Sequence, residues 1–286
     1  MPDRHYVLTL GCPDKPGVVA RIAGFLAAAG GTITEAAYHA DPDTGWFFTR
    51  QVVRAEGLVH DVDGLREAFA AVARELGAET SWRVTDTARR RRVVVLVSKE
   101  SHCLYDLLGR VASGELDVDL RAVIGNHETT RAITEAHGIP FHLVRFPTDD
   151  RAAAFAQLRE LVDAEEPEAI VLARFMQILP DELATAWYPR ALNIHHSFLP
   201  SFVGARPYHQ AHARGVKLVG ATCHYVTSEL DEGPIVEQDV IRIAHGDTVA
   251  DVVRKGRDIE KVVLARGLRW HLEDRVLVHG RQTVVF

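Results

Sequence analysis

The sequence contains little sulfur, and it contains no apolar run long enough to cross a membrane. Its three cysteines, Cys12, Cys103 and Cys223, are far apart and form no CxxC pair, which excludes the common zinc and redox motifs. Such isolated thiols are typical of a reducing compartment. Residues 1–5 lack the apolar segment of a signal peptide. We therefore expect a soluble, cytoplasmic protein with no metal site, because its histidines also lack a spaced set of thiol or carboxylate ligands.

An excess of positive charge is absent as well. Of the 286 residues, 47% are hydrophobic and 25% are charged, and the formal net charge is −6. This balance is ordinary for a soluble globular protein and gives no general attraction to nucleic acid or to anionic membranes. The basic run Arg89–Arg92 either contacts phosphate or forms a solvated linker, and we favour the linker. We expect neither nucleic acid nor a membrane among the partners.

Residues 1–86 have the pattern of a small domain. Short β-prone runs and amphipathic segments follow one another in the order strand, helix, strand, strand, helix, strand, and Gly30–Gly31 ends the first helix. In the second helix, apolar residues recur at spacings of three or four, at Val62, Leu65, Phe69, Val72 and Leu76. The order βαββαβ predicts a ferredoxin-like arrangement.

A different pattern follows the polar segment Thr85–Arg91, which we interpret as a linker. Val93–Val97 is a continuous, mostly β-branched run, typical of a strand that is covered on both faces. Beyond it, strands alternate with helices, which predicts a doubly wound, mostly parallel α/β sheet. The length suits two domains, and we expect their boundaries at residues 1–86 and 91–286.

Asn193 and His195 are the first candidate functional residues. If residues 191–195 form a strand, both side chains point to the same face, because side chains alternate along a strand. The carboxyl edge of such a sheet is the usual place for a ligand. An amide and an imidazole there could bind a carbonyl oxygen as negative charge develops, although a structural histidine is the alternative. His196 falls on the opposite face and is a weaker candidate.

Asp231 is the third candidate. It lies in the segment Thr222–Pro234, which ends a strand and enters a loop. A carboxylate near an imidazole can hold its protonation state and relay protons through water. Asp231 could equally be a turn residue ahead of Gly233, so this pattern leaves both interpretations open.

The first turn and helix of the N-terminal domain resemble those of ACT domains. The likeness lies in residues 12–20, and ACT domains are small modules that often bind amino acids where two such domains pair. This resemblance implies a regulatory domain and a homo-oligomer formed through it. Members commonly have Asn before an Ile after the first helix, whereas this chain has Thr32 before Ile33. Because the single hydroxyl of Thr32 replaces the separate donor and acceptor groups of an amide, no particular amino-acid effector is implied.

The larger domain resembles the formyltransferase fold family that uses 10-formyltetrahydrofolate, and in particular its deformylases, which also carry an ACT domain. The resemblance covers nearly the whole chain. Its motifs occur in the right order and spacing: Asn193-x-His195, the run Ser197–Phe202, Gly220–Thr222, His224 and Asp231-x-Gly233-Pro234. The resemblance implies that Asn193, His195 and Asp231 form a catalytic triad.

The same resemblance implies that the segment Leu172–Pro180 holds a pterin ring, largely through its backbone. This segment mixes apolar side chains with free backbone groups, and on its residues alone an apolar connection packed in the core is an equal alternative. The residues expected to contact the folate are Arg174, Phe175, Met176, Gln177, Leu179, Thr227 and Leu230.

The segment Ser98–Leu104 favours hydrolysis over formyl transfer. Related enzymes that formylate a phosphorylated amine have a Gly-rich turn here, where backbone N–H groups bind the phosphate. This segment has no glycine and includes the acidic Glu100. Water is therefore the expected nucleophile.

We expect the chain to hydrolyse 10-formyltetrahydrofolate to formate and tetrahydrofolate, with no cofactor beyond the folate substrate. Such a reaction would supply formate for purine synthesis and balance the one-carbon folate pool. In the expected mechanism Asn193 and His195 stabilise the oxyanion, while Asp231 orients or deprotonates the water. Formyl transfer to an amine is the alternative reaction. A regulator that senses amino acids and only binds folate is an alternative of a different class.

Overall fold

A computed structural model describes residues 4–201 and 207–286 of the chain. Phe202, the last residue of one motif named above, lies outside these ranges. The described chain divides into two compact units. One contains residues 4–90 together with Glu273–Phe286, and the other contains Arg91–Leu272.

The first unit is a four-stranded antiparallel sheet with two helices. Its elements in chain order are β1 (His5–Pro13), α1 (Val18–Ala28), β2 (Thr32–Asp41), β3 (Trp46–Arg54), α2 (Val62–Leu76) and β4 (Ser81–Asp86). The strands lie in the order β2-β3-β1-β4, and every neighbouring pair is antiparallel. The ferredoxin-like prediction is confirmed.

Local sequence explains the second helix of this unit. The carboxylate of Asp61 accepts a hydrogen bond from the backbone N–H of Gly64 at 2.9 Å, which satisfies one free donor at the start of α2. The predicted apolar spacing then places Leu65 and Phe69 in one core with Leu8 of β1.

The second unit is built on a seven-stranded sheet. Its strands are β5 (Arg91–Val97), β6 (Val118–Gly125), β7 (Phe141–Leu143), β8 (Ala169–Ala173), β9 (Ala191–His195), β10 (Leu218–Tyr225) and β11 (Ile235–Arg242). Its α-helices are α3 (His102–Ala112), α4 (Arg131–Ala136), α5 (Arg151–Ala164), α6 (Asp181–Trp187), α7 (Pro207–Arg214) and α8 (Val249–Leu272).

The strand order in this sheet is β11-β10-β9-β8-β5-β6-β7. The five strands from β9 to β7 in this order pair in parallel, while β10 and β11 are antiparallel to their neighbours. The predicted doubly wound, mostly parallel sheet is confirmed. Val93–Val97 is buried throughout, as expected for a strand covered on both faces. The strand order reverses between β5 and β8, and in such sheets ligands bind outside the carboxyl ends of the strands at that point.

Part of the basic run belongs to β5 rather than to a linker. Arg91 Nη1 lies 2.8 Å from Glu168 Oε1, and Arg92 Nη1 lies 2.9 Å from Glu166 Oε2. These two arginines therefore form ion pairs beside the first residues of the sheet.

The C-terminal segment differs from the predicted boundary, which assigned all of residues 91–286 to one domain. A hairpin of β12 (Val276–His279) and β13 (Gln282–Val285) belongs to the first unit. The His279 ring lies 4.4 Å from the Trp46 ring, measured between centroids, and Thr85 Oγ1 donates to Asp274 Oδ2 at 2.6 Å. These contacts join residues far apart in sequence, which local patterns do not reveal.

The longest helix, α8, is amphipathic. Its buried residues recur at spacings of three or four, and they include Val252, Gly256, Ile259, Glu260, Val263 and Leu264. Within the described ranges, no helix is both long enough and apolar enough to cross a bilayer.

Candidate active site

A cavity of about 670 Å³ lies in the second unit, beside the residues that follow β5, β8 and β9. This is the position predicted by the reversal of strand order. All three expected catalytic residues and all seven expected folate-contacting residues line the cavity. Its other lining residues include Tyr208 of α7, Glu260 of α8 and Glu100, which precedes α3.

Asn193 lies opposite His224 in the antiparallel pair β9–β10. Asn193 Nδ2 is 3.1 Å from His224 Nε2, and His224 Nδ1 is 2.9 Å from the carbonyl oxygen of Tyr225. Because a carbonyl oxygen can only accept, Nδ1 carries the proton of a neutral His224 and Nε2 accepts from the amide. His224 thereby fixes the orientation of the Asn193 amide and uses one of its two N–H groups.

His195 and Asp231 form a second pair. His195 Nδ1 is 3.2 Å from Asp231 Oδ1, and His224 Nε2 is 3.7 Å from the same oxygen. Burial raises the pKa of Asp231, but hydrogen bonding, chiefly from His195 Nδ1, outweighs burial, so the pKa falls below its ordinary range. Asp231 is therefore ionised at neutral pH. Among the described residues, His195 Nε2 has no hydrogen-bond partner, and it is buried.

The loop after β10 places Asp231 beside His195. Asp231 has a φ of 58°, which is uncommon for a residue other than glycine. The backbone N–H of Tyr225 donates to Pro234 O at 2.9 Å and closes the loop. A Cβ atom at Gly233 would lie 1.8 Å from Tyr225 O, so this close approach requires glycine. Asp231 thus belongs to a turn, and the turn directs its carboxylate to His195.

The loops after β8 and β10 form one side of the cavity, which we call the loop side and define as residues 175–179 and 226–230. Met176 and Leu230 are 57% and 59% exposed. The backbone N–H of Met176 donates to Ser98 Oγ at 2.9 Å, which fixes this loop to the residue after β5. The loop side therefore presents apolar side chains on an anchored backbone.

Two of the expected folate contacts have their side chains in the core. Phe175 and Leu179 are 5% and 7% exposed and pack in one cluster with residues of α5 and α6. For these two side chains, the segment Leu172–Pro180 is thus an apolar connection packed in the core, which was the alternative to a pterin-binding segment. The side chain of Met176 remains accessible.

A second group of lining residues, which we call the helix side, consists of His102, Arg174, Tyr208 and Glu260. Glu260 is 1% exposed, and its Oε1 accepts from Tyr208 Oη at 2.6 Å. Its Oε2 lies 2.8 Å from His102 Nε2 and 3.5 Å from Arg174 Nε. Burial raises the pKa of Glu260, but its partners lower that pKa by more than burial raises it, and His102 contributes most. The carboxylate is therefore ionised.

Gly256 allows Tyr208 to reach Glu260. Gly256 lies one turn before Glu260 on α8, and a Cβ atom there would be 2.1 Å from Tyr208 Cζ. Burial and then the charge of Glu260 raise the pKa of Tyr208, so its hydroxyl stays protonated and donates. The network thus depends on close contact between α7 and α8.

Arg174 is one of the residues expected to contact folate, but its side chain extends to the helix side. Arg174 has a φ of 61°, again in the left-handed region. Its Nε and Nη1 atoms are buried, and neither has a hydrogen-bond partner among the residues that the structure describes.

His196 also lines the cavity, although strand alternation predicted it on the opposite face. Alternation fails here because β9 ends at His195. The rings of His195 and His196 stack with their centroids 5.1 Å apart. Burial, reinforced by the positive charge of Arg174, lowers the pKa of His196 to about 3. The His196 ring is therefore neutral at physiological pH.

The segment Ser98–Leu104 is engaged by protein groups at several points. Ser98 binds the Met176 backbone, Glu100 Oε2 lies 2.6 Å from Arg257 Nη2, and His102 binds Glu260. These side chains are therefore already bound by protein groups, and Glu100 keeps a negative charge at this position.

His102, Cys103 and Glu260 are close enough together to share a metal ion. Their chemistry disfavours it, because both oxygens of Glu260 already take part in hydrogen bonds and the Arg174 cation lies beside them. Burial also raises the pKa of the Cys103 thiol, which opposes the thiolate that a metal requires. We interpret the cluster as part of the ion-pair network.

From the sequence alone, His224 is named only as a motif residue, without a role, and Tyr208 and Glu260 are not singled out. For His224 a signal existed, since Thr222 and His224 alternate on one strand in the way that Asn193 and His195 do. For Glu260 the signal is an acidic residue within the apolar stripe of an amphipathic helix.

Two known families match the chain. Residues 91–268 match the formyl transferase family, and residues 6–74 match the ACT domain family. Each match lies within one of the two units.

Relatives that match nearly the whole chain include formyltetrahydrofolate deformylases. The formyltetrahydrofolate deformylase of Bacillus subtilis (strain 168) is 45% identical over 280 residues, covering 98% of this chain and 93% of that protein. The formyltetrahydrofolate deformylase of Escherichia coli (strain K12) is 44% identical over 279 residues, covering 98% and 97%.

Solved structures of both a deformylase and a transformylase are similar to this chain. A formyltetrahydrofolate deformylase from Pseudomonas syringae pv. tomato is 54% identical with a TM-score of 0.97, covering 100% of this chain and 95% of that chain. Glycinamide ribonucleotide transformylase 1 from Symbiobacterium toebii is 29% identical with a TM-score of 0.66, covering 70% and 96%. The similarity to the transformylase is thus both weaker and shorter.

Proposed function

The chain belongs to the formyltetrahydrofolate deformylase family, and we propose that its second unit hydrolyses 10-formyltetrahydrofolate to formate and tetrahydrofolate. The observation that carries this proposal is the convergence of Asn193, His195 and Asp231 on one cavity, with His195 Nδ1 3.2 Å from Asp231 Oδ1. An amide donor, an imidazole and an ionised carboxylate are the groups that attack of water on a formyl carbon needs.

Asn193 is the proposed oxyanion donor. When water adds to the formyl carbon, a C–O bond forms and the carbonyl oxygen becomes negatively charged. His224 accepts one N–H of the Asn193 amide, which leaves the second N–H to donate to that oxygen. The C–N10 bond then breaks, N10 takes a proton, and the formic acid formed ionises to formate.

His195 is the proposed proton carrier, and Asp231 orients it. Because its pKa is lowered, the Asp231 carboxylate is a weak base and remains ionised. It accepts the Nδ1–H of His195, so Nε2 is left to take a proton from the attacking water and to deliver it to N10. N10 is bonded to an aromatic ring, so it is weakly basic and leaves more readily than an alkyl amine.

Water is the proposed nucleophile because the site offers little to a phosphorylated amine. The segment after β5 has no glycine, and Ser98, Glu100 and His102 are all bound by other protein groups. The carboxylate of Glu260 adds a buried negative charge on the same side. A phosphate there would meet like charge.

The loop side is the proposed binding surface for the pterin. Met176 and Leu230 supply exposed apolar surface, and the anchored backbone between residues 175 and 179 supplies hydrogen-bonding groups. Gln177 and Thr227 also line this part of the cavity and belong to the proposed contact set.

Three finer statements are also proposals. The formate formed would serve purine synthesis and the balance of the one-carbon pool. The chain would work in the cytoplasm, which its free and buried Cys12, Cys103 and Cys223 support. The ACT unit would pair between copies of the chain, and light scattering of the purified protein tests this, since a monomer would contradict it.

The main test is release of formate and tetrahydrofolate by the full chain with no amine present. We expect equal amounts of the two products. Absence of both from a folded preparation would contradict the proposal. Adding glycinamide ribonucleotide tests the transfer alternative, because a transferase would form a formylated amine at the expense of formate.

A further inference from the structure

The helix side contains a guanidinium group that the proposed hydrolysis does not use. We propose that Arg174 binds a small carboxylate ion, and that in the working enzyme this ion is the formate released next to His195. The site is argued from the geometry of Arg174, Glu260 and their neighbours, while the identity of the ion rests on the proposed function.

The hydrogen-bond account of Arg174 supports an anion. Its guanidinium is always charged and carries five N–H donors. Buried donors are nearly always satisfied, yet Nε and Nη1 have no hydrogen-bond acceptor within the described part of the chain. Unused donors on a charged group that lines a cavity indicate that a ligand supplies the acceptor.

Glu260 balances the charge of Arg174 without satisfying these donors. Its two oxygens are held by Tyr208 at 2.6 Å and by His102 at 2.8 Å, whereas Arg174 Nε is 3.5 Å away. Tyr208 and His102 therefore fix the carboxylate in a position where it stabilises the cation and leaves the cation free to bind a ligand.

The backbone of Arg174 gives a second, independent indication. A non-glycine residue with a φ of 61° is in an unfavourable conformation, and such residues often persist at ligand sites. Here the conformation lies directly after β8, where the side chain enters the cavity. The strain is explained if the side chain has a binding role.

The proposed site lies in the same cavity as the reacting groups. Arg174 is close enough to His196 for its charge to affect that ring, and His196 stacks on His195 at 5.1 Å. All three residues line one cavity. Formate formed at His195 therefore shares its cavity with the Arg174 cation.

A small carboxylate fits this site better than phosphate. The planar guanidinium matches the two oxygens of a carboxylate in a bidentate pair. Its single positive charge is already partly offset by Glu260, and Glu100 also lines the cavity, so a doubly charged phosphate is disfavoured.

The experiment measures binding of sodium formate to the full chain by saturation transfer to the formate proton in NMR, at constant ionic strength. We expect binding by the wild type and competition by acetate. Arg174→Met should weaken formate binding at least about tenfold, because a charge-assisted bidentate pair is lost. Arg174→Lys should be intermediate, since it keeps the charge and loses the planar fork.

Arg159→Met is the matched control. Arg159 lies on α5, pairs with Asp163 and Glu182, and does not line this cavity. The Arg159→Met variant should bind formate with the affinity of the wild type. Equal affinity in Arg174→Met and the wild type would overturn the proposal, as would a wild type that prefers phosphate to formate. If Arg174→Met does not fold, Arg174→Lys and the competition by phosphate decide the question.

The outcome also separates this proposal from the proposed function. Formate binding by a chain that does not release formate from 10-formyltetrahydrofolate would reject the hydrolase and keep the anion site. Hydrolysis by a chain that does not bind formate would reject the anion site and keep the hydrolase.

Discussion

The two sides of the cavity are built in opposite ways. The loop side exposes apolar side chains such as Met176 and Leu230 on an anchored backbone, whereas the helix side buries the charges of Glu260 and Arg174. An exposed apolar side chain contributes little to folding, but a buried charge is strongly destabilising when it loses its partner. Substitutions on the loop side should therefore affect folate binding, and removal of the buried Glu260 charge on the helix side should affect stability. Asp231 belongs to neither side and binds His195, so its substitution should affect the reaction itself.

Asp231→Asn should have the largest effect, because it removes the group that orients His195. An amide cannot stabilise an imidazolium, so we expect kcat to fall by about 10³–10⁴-fold. Tetrahydrofolate binding should be nearly unchanged, since the loop side is intact. Single-turnover formate release measures the first effect, and a fluorescence titration with tetrahydrofolate measures the second.

Asp258→Asn is the control for this substitution. Asp258 is an exposed residue of α8 that pairs with Lys261, so its variant should retain full activity. Full activity in Asp231→Asn as well would remove Asp231 from the mechanism.

Glu260→Ala tests the helix side. It leaves the Arg174 cation buried without its carboxylate, so the free energy of unfolding should fall by about 3–5 kcal/mol. Urea unfolding followed by tryptophan fluorescence measures this loss, with the fully buried Trp187 reporting on the second unit. Glu260→Gln should lose less, because an amide retains an acceptor for Tyr208.

Glu182→Ala is the matched control, since Glu182 is 80% exposed and pairs with Arg159 at the surface. It should change stability by less than about 1 kcal/mol. If Glu260→Ala were as stable as Glu182→Ala, the buried network would not stabilise the fold.

The two sides also differ in how well the sequence predicts them. The loop side and the strand residues Asn193 and His195 lie in short segments whose alternation and motifs are visible locally. The helix side joins residues such as His102 and Glu260, which are 158 positions apart and meet only through tertiary packing. The contact between Tyr208 and Glu260 also requires Gly256, whose role becomes visible only when Tyr208 is placed against it.

Contacts between residues distant in sequence also explain why the predicted domain boundary differs from the observed one. The order of elements predicted both sheets, because each strand and helix has its own periodicity. The C-terminal hairpin belongs to the first unit through contacts such as Thr85 with Asp274 and Trp46 with His279. No local pattern encodes these pairings.

His196 provides a test by pH. Its pKa is lowered to about 3 in the folded chain and is about 6.5 in an unfolded one, so between these values the unfolded state binds more protons. Stability therefore falls as the pH decreases through this window, by at most about 1.4 kcal/mol per pH unit. Asp231 and Glu260, whose pKa values are lowered, stay ionised between about pH 5 and 6.5.

The variant His196→Gln should remove this part of the slope, as measured by urea unfolding at several pH values within that range. His245→Gln, at an exposed position, is the control and should keep the slope of the wild type. Parallel slopes for His196→Gln and the wild type would mean that folding does not lower the pKa of His196.

The smallest effect is expected on the loop side. Leu230 is 59% exposed, so Leu230→Ala removes only part of a contact with the pterin and should raise KM about fivefold, equivalent to about 1 kcal/mol. Because this contact is the same in the ground state and the transition state, kcat should hardly change. Val59→Ala, an exposed apolar residue of the first unit, should leave KM unchanged. A fall in kcat with constant KM in Leu230→Ala would contradict the division between the two sides, because the loop would then take part in the reaction.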